Sequence, residues 1–105
     1  MLFLNNIVDN EPLISIITKI ELLGFNFNSI EEQDLMEFFV NSSKIINLDE
    51  DIVNQTIKLR KIKKIKLPDA IIASTAITYN FTLITRNVAD FKDIKNLELV
   101  NPFDI

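Results

Sequence analysis

The chain has 105 residues, enough for one small domain built round a single core. It contains neither cysteine nor histidine, which excludes disulfides, thiolate metal sites, histidine-based catalytic triads and most zinc centres. Its formal charge is −4, and with thiolates and imidazoles gone any metal must be held by carboxylates and carbonyls, a donor set that suits Mg²⁺ or Mn²⁺.

The charge is uneven. Six of the 11 basic residues, Lys58, Arg60, Lys61, Lys63, Lys64 and Lys66, fall in one short stretch. Such a stripe either holds a polyanion or is a solvated helix face with its lysines laid along apolar surface. The least charged run, 13–17 and its flanks, is far too short to span a bilayer. No basic n-region or small-residue cleavage site opens the chain, so a cytoplasmic location without membrane contact is expected.

In chain order, Leu2, Phe3, Leu4, Ile7 and Val8 are spaced for a short amphipathic helix over 2–8, ended by Asp9-Asn10-Glu11-Pro12. The β-branched run 13–16 reads as a buried strand. Thr18-Lys19-Ile20-Glu21 has capping-box spacing and starts a helix that stops near Gly24, the only glycine. Ser29-Ile30-Glu31-Glu32 opens a second helix to about Val40, with Ile30, Leu35, Met36, Phe38 and Phe39 as its core face.

A strand follows at 44–48. Asp49 caps a helix running to about Ile65, with Ile52, Val53, Ile57, Leu59 and Ile62 available for burial. The next helix, 68–79, is apolar nearly all round and therefore buried on most sides; Pro68 suits its first turn and Asn80 ends it. A third strand spans 81–84, a short helix 88–94 and a last strand 97–100. Strands alternating with helices, and no hairpin signal, predict an α/β sandwich with a parallel sheet.

Three acids stand out. Ligands of open parallel sheets bind beyond the carboxyl ends of the strands. Glu21 and Asp90 each follow a strand by a few residues, and Asp69 starts the buried helix just before the third strand. Together they make a candidate catalytic and metal site for one hard divalent cation. Each also has a plain role: Glu21 as a capping-box partner, Asp90 as a cap-like acid three residues after Asn87, Asp69 as complement to a helix dipole. Thr18, Thr85 and Asn87 sit near the same strand ends and either orient the acids or satisfy orphan N–H groups. Asp49 reads as a cap alone.

Ser15-Ile16-Ile17-Thr18-Lys19-Ile20-Glu21-Leu22-Leu23-Gly24, Leu67-Pro68-Asp69-Ala70-Ile71-Ile72-Ala73 and Thr85-Arg86-Asn87-Val88-Ala89-Asp90-Phe91, with Asn101-Pro102 at the end, together resemble a PIN domain of the VapC toxin kind. The resemblance runs from about Leu4 to Pro102. It implies a three-layer α/β sandwich and a metal-dependent ribonuclease, using Mg²⁺ or Mn²⁺, that is dimeric and restrained by an antitoxin peptide. Glu21, Asp69 and Asp90 match the second, third and fourth metal-binding acids of that family; Thr85 and Asn87 match polar positions beside the fourth. Lys61, Lys63 and Lys64 are the candidates for gripping the RNA backbone.

The resemblance departs at the front. The family opens with a strand ending in an Asp-Thr/Ser-Asn motif, which supplies the first acid and the middle of the sheet. Only eight residues separate Leu4 from Leu13, too few for a parallel crossover, so 2–8 reads as the tail of the family's first helix. The expectation is a single PIN-like domain over 1–105, truncated at its N-terminus. Its mid-sheet gap is then closed by the two halves meeting or by another chain. Loss of one carboxylate implies weak or absent cleavage; the alternative function is a non-catalytic dimerisation or antitoxin-binding protein.

Overall fold

Three helices begin where a side chain satisfies the first turn. The computed structural model describes residues 3–5, 12–85 and 87–101. Ser29 accepts from the Glu32 N–H at 3.2 Å and opens the helix Ile30–Asn41; Asp49 accepts from the Ile52 N–H at 2.8 Å and opens the helix Glu50–Ile62. Both caps are the expected ones. The first helix, α1 (Ile16–Leu23), departs from expectation: it is capped by Ser15, which accepts from the Ile17 N–H at 3.1 Å. The helix follows its strand without a loop, so the hydroxyl at the strand end makes the cap. Thr18 lies inside the helix and Glu21 is not a capping-box partner.

Gly24 does end α1, but through close approach and not through a left-handed backbone. Its φ is −86°, and a Cβ there would meet the Ile20 carbonyl oxygen at 2.8 Å. The helices Ile30–Asn41 and Glu50–Ile62 are α2 and α3, and α4 spans Leu67–Tyr79. Pro68 sits in the first turn of α4, and Asn80 ends it at φ 59°, a left-handed C-cap. As its composition predicts, Ala70, Ile72, Ala73, Ser74, Thr75 and Ala76 are all buried. The short helix α5 covers only Val88–Phe91 where a helix to 94 was expected, because Lys92 is extended (φ −64°, ψ 156°) and Asp93 has positive φ.

Among the described residues five short strands form one sheet: β1 (Phe3–Asn5), β2 (Pro12–Ser15), β3 (Lys44–Ile46), β4 (Thr82–Ile84) and β5 (Glu98–Val100), in the order β3-β2-β1-β4-β5. The pairs β2–β3 and β4–β5 are parallel, as predicted. The pairs made by β1 are both antiparallel, with Leu4 opposite Leu13 on one side and Leu83 on the other.

This corrects the reading of the N-terminus. Residues 3–5 are a strand and not a helix tail, and they occupy the centre of the sheet. The crossover argument rightly forbids a parallel strand with so short a connection, but a strand running back the other way needs no crossover. The expected gap between β2 and β4 is thus closed by the chain itself, neither by collapse of the two halves nor by another molecule. The sheet is mixed rather than wholly parallel.

The core gathers Leu13, Leu59, Ala70, Ile72, Ala73, Ala76, Leu83, Phe91 and Ile94. α3 packs along α4, and α1 lies against β2, α2 and α4. Two expected core faces are buried only in part: Ile52 and Leu59 of α3 are buried and Met36 and Phe39 of α2 half-buried. On α2, Ile30, Leu35 and Phe38 are exposed, Phe38 by 73%, while Val40 is buried. This helix rests on α1 and turns much of its apolar side outward. On α3, Ile57 and Ile62 are exposed, and Thr56 is buried instead, its hydroxyl donating to the Ile52 carbonyl at 2.7 Å.

Every N–H of a central strand faces one neighbour or the other. Leu4→Pro removes one of these donors and is expected to cost about 2 kcal/mol, a fall in Tm of roughly 10 °C by circular dichroism. An unchanged Tm would place 3–5 outside the sheet.

Candidate active site

The basic turn between α3 and α4, the start of α4 and the helix α5 meet around one open cavity of about 520 Å³. Asp69 and Asp90 line it with Arg60, Lys64, Ile65 and Lys66. Asp69 is in the first turn of α4, beside the positive end of the helix dipole. Asp90 is carried by α5, directly after β4.

Asp90 is held through a relay that begins in the sheet. The Thr85 N–H donates to the Val100 carbonyl at 3.0 Å, tying the end of β4 to the end of β5. Buried Thr85 then accepts from the Asn87 N–H through Oγ1 at 3.0 Å. Asn87 Nδ2 in turn donates to Asp90 Oδ2. Thr85 therefore fixes the backbone at Asn87, and the Asn87 amide fixes the orientation of the Asp90 carboxylate. Arg86, between them, lies outside the described residues.

Electrostatics couple the two acids. The Asp69 carboxyl is raised above its ordinary value of 3.8, first by burial and then by the negative charge of Asp90, with Lys66 pulling the other way. Two like charges in one open cavity, Asp69 half-buried and Asp90 exposed, attract a counter-charge. A hard cation fits: Mg²⁺ is commonly held by one or two carboxylates, completing its shell with waters and substrate phosphate oxygens.

Glu21 is not among the residues lining this cavity; it is exposed on α1, which packs against α4. Among the described residues no three carboxylates are grouped to hold one ion. The structure thus brings together two of the three acids. Thr18 is also outside the cavity; it is buried one turn before Glu21, and its hydroxyl has no hydrogen-bond partner among the described residues. Asp49 is a cap, and its second oxygen accepts from the Tyr79 hydroxyl, joining the start of α3 to the end of α4.

A neighbouring cavity of about 380 Å³ is lined by Arg60, Lys61, Ile62, Lys63, Lys64 and Ile65. Of the expected RNA-gripping lysines, Lys64 lines both cavities, and Lys61 and Lys63 line only the second. Arg60 and Lys66, which line the acids' cavity, belong to the basic stripe read from sequence but not to the three lysines chosen from it.

Residues 2–97 match the family model described as PIN domain. Among solved structures, a toxin–antitoxin complex from Klebsiella pneumoniae is 35% identical over 89% of this chain and 75% of that one, with a TM-score of 0.72. VapBC2 from Rickettsia felis, bound to a DNA fragment from their promoter, is 32% identical over 89% of this chain and 76% of that one, at 0.75. VapBC-1 from nontypeable Haemophilus influenzae is 25% identical over 92% and 78%, at 0.74. No curated protein matches.

Because its folded pKa is raised, Asp69 favours the fold when protonated. That contribution is complete below the unfolded value of 3.8 and is lost as pH rises through the folded value. Thermal melts from about pH 3.5 to 7 are expected to show Asp69→Asn gaining on wild type as pH rises, with a smaller pH-dependent gain in an Asp90→Asn background. A difference independent of pH would contradict the coupling.

Proposed function

The chain belongs to the PIN domain family, and from that premise we propose that it is a metal-dependent endoribonuclease of the VapC toxin type. The observation that carries the reading is the Asp69–Asp90 pair in one cavity rimmed by Arg60, Lys64 and Lys66. Acids alone repel a phosphodiester; acids with a bound cation, ringed by fixed positive charge, attract and polarise one.

Asp69 and Asp90 would hold Mg²⁺ or Mn²⁺, and Glu21 is the third candidate ligand on the strength of its place in the resembling motif. When bound, such a cation supplies positive charge against the phosphate oxygens and makes nearby water more acidic. The chain's own groups do the remaining work. Arg60, Lys64 and Lys66 bind the phosphate, with Lys61, Lys63 and Lys64 along the backbone beyond it. Asn87 holds Asp90 in place, and Thr85 holds Asn87. One of the same carboxylates takes the proton from the attacking water. The water oxygen forms the new bond to phosphorus in line with the ester bond that breaks, and the departing oxygen takes a proton from solvent.

The solved relatives include toxin–antitoxin complexes, and we extend that partnership to this chain: an antitoxin peptide as protein partner, with homodimerisation and a cytoplasmic location. No helix among the described residues is long and apolar enough to cross a membrane. The exposed Leu35 and Phe38 of α2 are apolar surface of the kind that a protein partner covers. This favours a second reading, in which the chain binds its antitoxin without cleaving RNA.

RNA cleavage in Mn²⁺ separates the two. Wild type is expected to cleave, Asp69→Asn and Asp90→Asn to lose about 100-fold or more, and Asn87→Ala about tenfold. Glu21→Gln reports whether a third carboxylate takes part. Binding of the antitoxin with no cleavage by wild type would establish the non-catalytic reading.

A further inference from the structure

Helix stability disfavours a lysine at position 66. Lys66 is the N-cap of α4, with the extended backbone (φ −63°, ψ 146°) on which Ser, Thr, Asp or Asn caps a helix, yet its side chain makes no capping hydrogen bond. It also puts a positive charge at the positive end of the helix dipole. Two local preferences broken at one exposed residue point to what that residue faces.

It faces the carboxylate pair. Lys66 lines the same cavity as Asp69 and Asp90, and Asp69 belongs to the helix turn that Lys66 opens. Arg60 and Lys64 line that cavity from α3 and from the residues after it. The charge of Lys66 acts on Asp69, where it opposes the joint effect of burial and of Asp90. The charge balance of the walls adds a second observation. Three cationic and two anionic side chains leave the cavity at +1, and a divalent ion held there brings it to +3. The charge that suits the empty cavity therefore repels an entering cation.

We propose that Lys66 is a built-in counter-ion of the Asp69–Asp90 pair: its ammonium balances the carboxylates while no divalent cation is held, and is turned aside when one is. The flexible four-carbon stem allows that movement without a change in the backbone. Lys66 is thus a brake on cation uptake. Its contact with a substrate phosphate is open only once the ammonium has left the acids, so cation and phosphate favour each other's binding. The inference rests on the metal-binding reading of the pair, and it is read out by cation affinity alone, without RNA.

The probe is Mn²⁺, titrated calorimetrically into the whole chain at low salt. Lys66→Gln is expected to bind Mn²⁺ about fivefold more tightly than wild type, the effect of removing one nearby unit charge. At about 0.5 M salt the difference is expected to shrink below about twofold, because screening weakens a charge effect and leaves a packing effect alone. Lys66→Arg keeps the charge and is expected to bind no more tightly than wild type. Lys44→Gln removes the same charge from β3, outside the cavity, and is expected to leave the affinity unchanged.

The counter-ion role is overturned if Lys66→Gln binds Mn²⁺ no more tightly than wild type, if its gain persists in full at high salt, or if Lys66→Arg or Lys44→Gln gains as much. In each of these cases uptake by wild type leaves the metal reading of the cavity standing. No uptake by wild type or by Lys66→Gln overturns both. Uptake by Lys66→Gln alone supports the counter-ion, with a brake strong enough to keep the wild-type cavity empty.

Discussion

Two carboxylates of the same sign share one cavity, and the fold keeps them there despite the repulsion between them. Asp69 arrives on the first turn of α4 and Asp90 on α5, so their approach is set by how two separate elements leave the sheet region. The raised proton affinity of Asp69 records that constraint: burial and Asp90 both act against its charge. Three cationic side chains stand on the same walls, and a carboxylate pair of this kind suits a hard divalent cation.

The sheet is the frame for that arrangement. β4 and β5 run parallel, and the Thr85–Val100 hydrogen bond locks their carboxyl ends together one step before Asn87 and Asp90. On the other side α4 is buried along most of its length, which leaves its N-terminal turn as the part that faces the cavity. Between β4 and β2 lies β1, a three-residue antiparallel strand that takes the central place in an otherwise parallel arrangement. With that place filled, β4 is an interior strand with partners on both sides, and the turn that presents Asp90 springs from a braced element.

Much of this was legible in the residues. Ser29 and Asp49 announce their helices because a short polar side chain before an acidic first turn is a local signal with a local cause. The run Ala70–Ala76 announces burial because no face of it is polar. The convergence of Asp69 and Asp90 follows from where parallel strands present their ligands. What escaped was non-local. Residues 3–5 have no alternation long enough to mark a strand, and their place depends on a sheet edge contributed by residues far along the chain. Glu21 and Thr18 were read from spacing as a capping box, but Ser15 makes the cap, and spacing within one helix does not say how far a side chain stands from a neighbouring helix. The apolar face of α2 is real as a pattern; that it faces outward depends on what lies opposite.

The central claim is that Asp69 and Asp90 act as one binding unit for a divalent cation. Calorimetric titration of the chain with Mn²⁺ tests it most directly, free of any RNA substrate. The account predicts one site per chain in wild type, weakened at least tenfold by Asp69→Asn and equally by Asp90→Asn. Wild type that takes up no Mn²⁺, or either variant binding it as tightly as wild type, would contradict it.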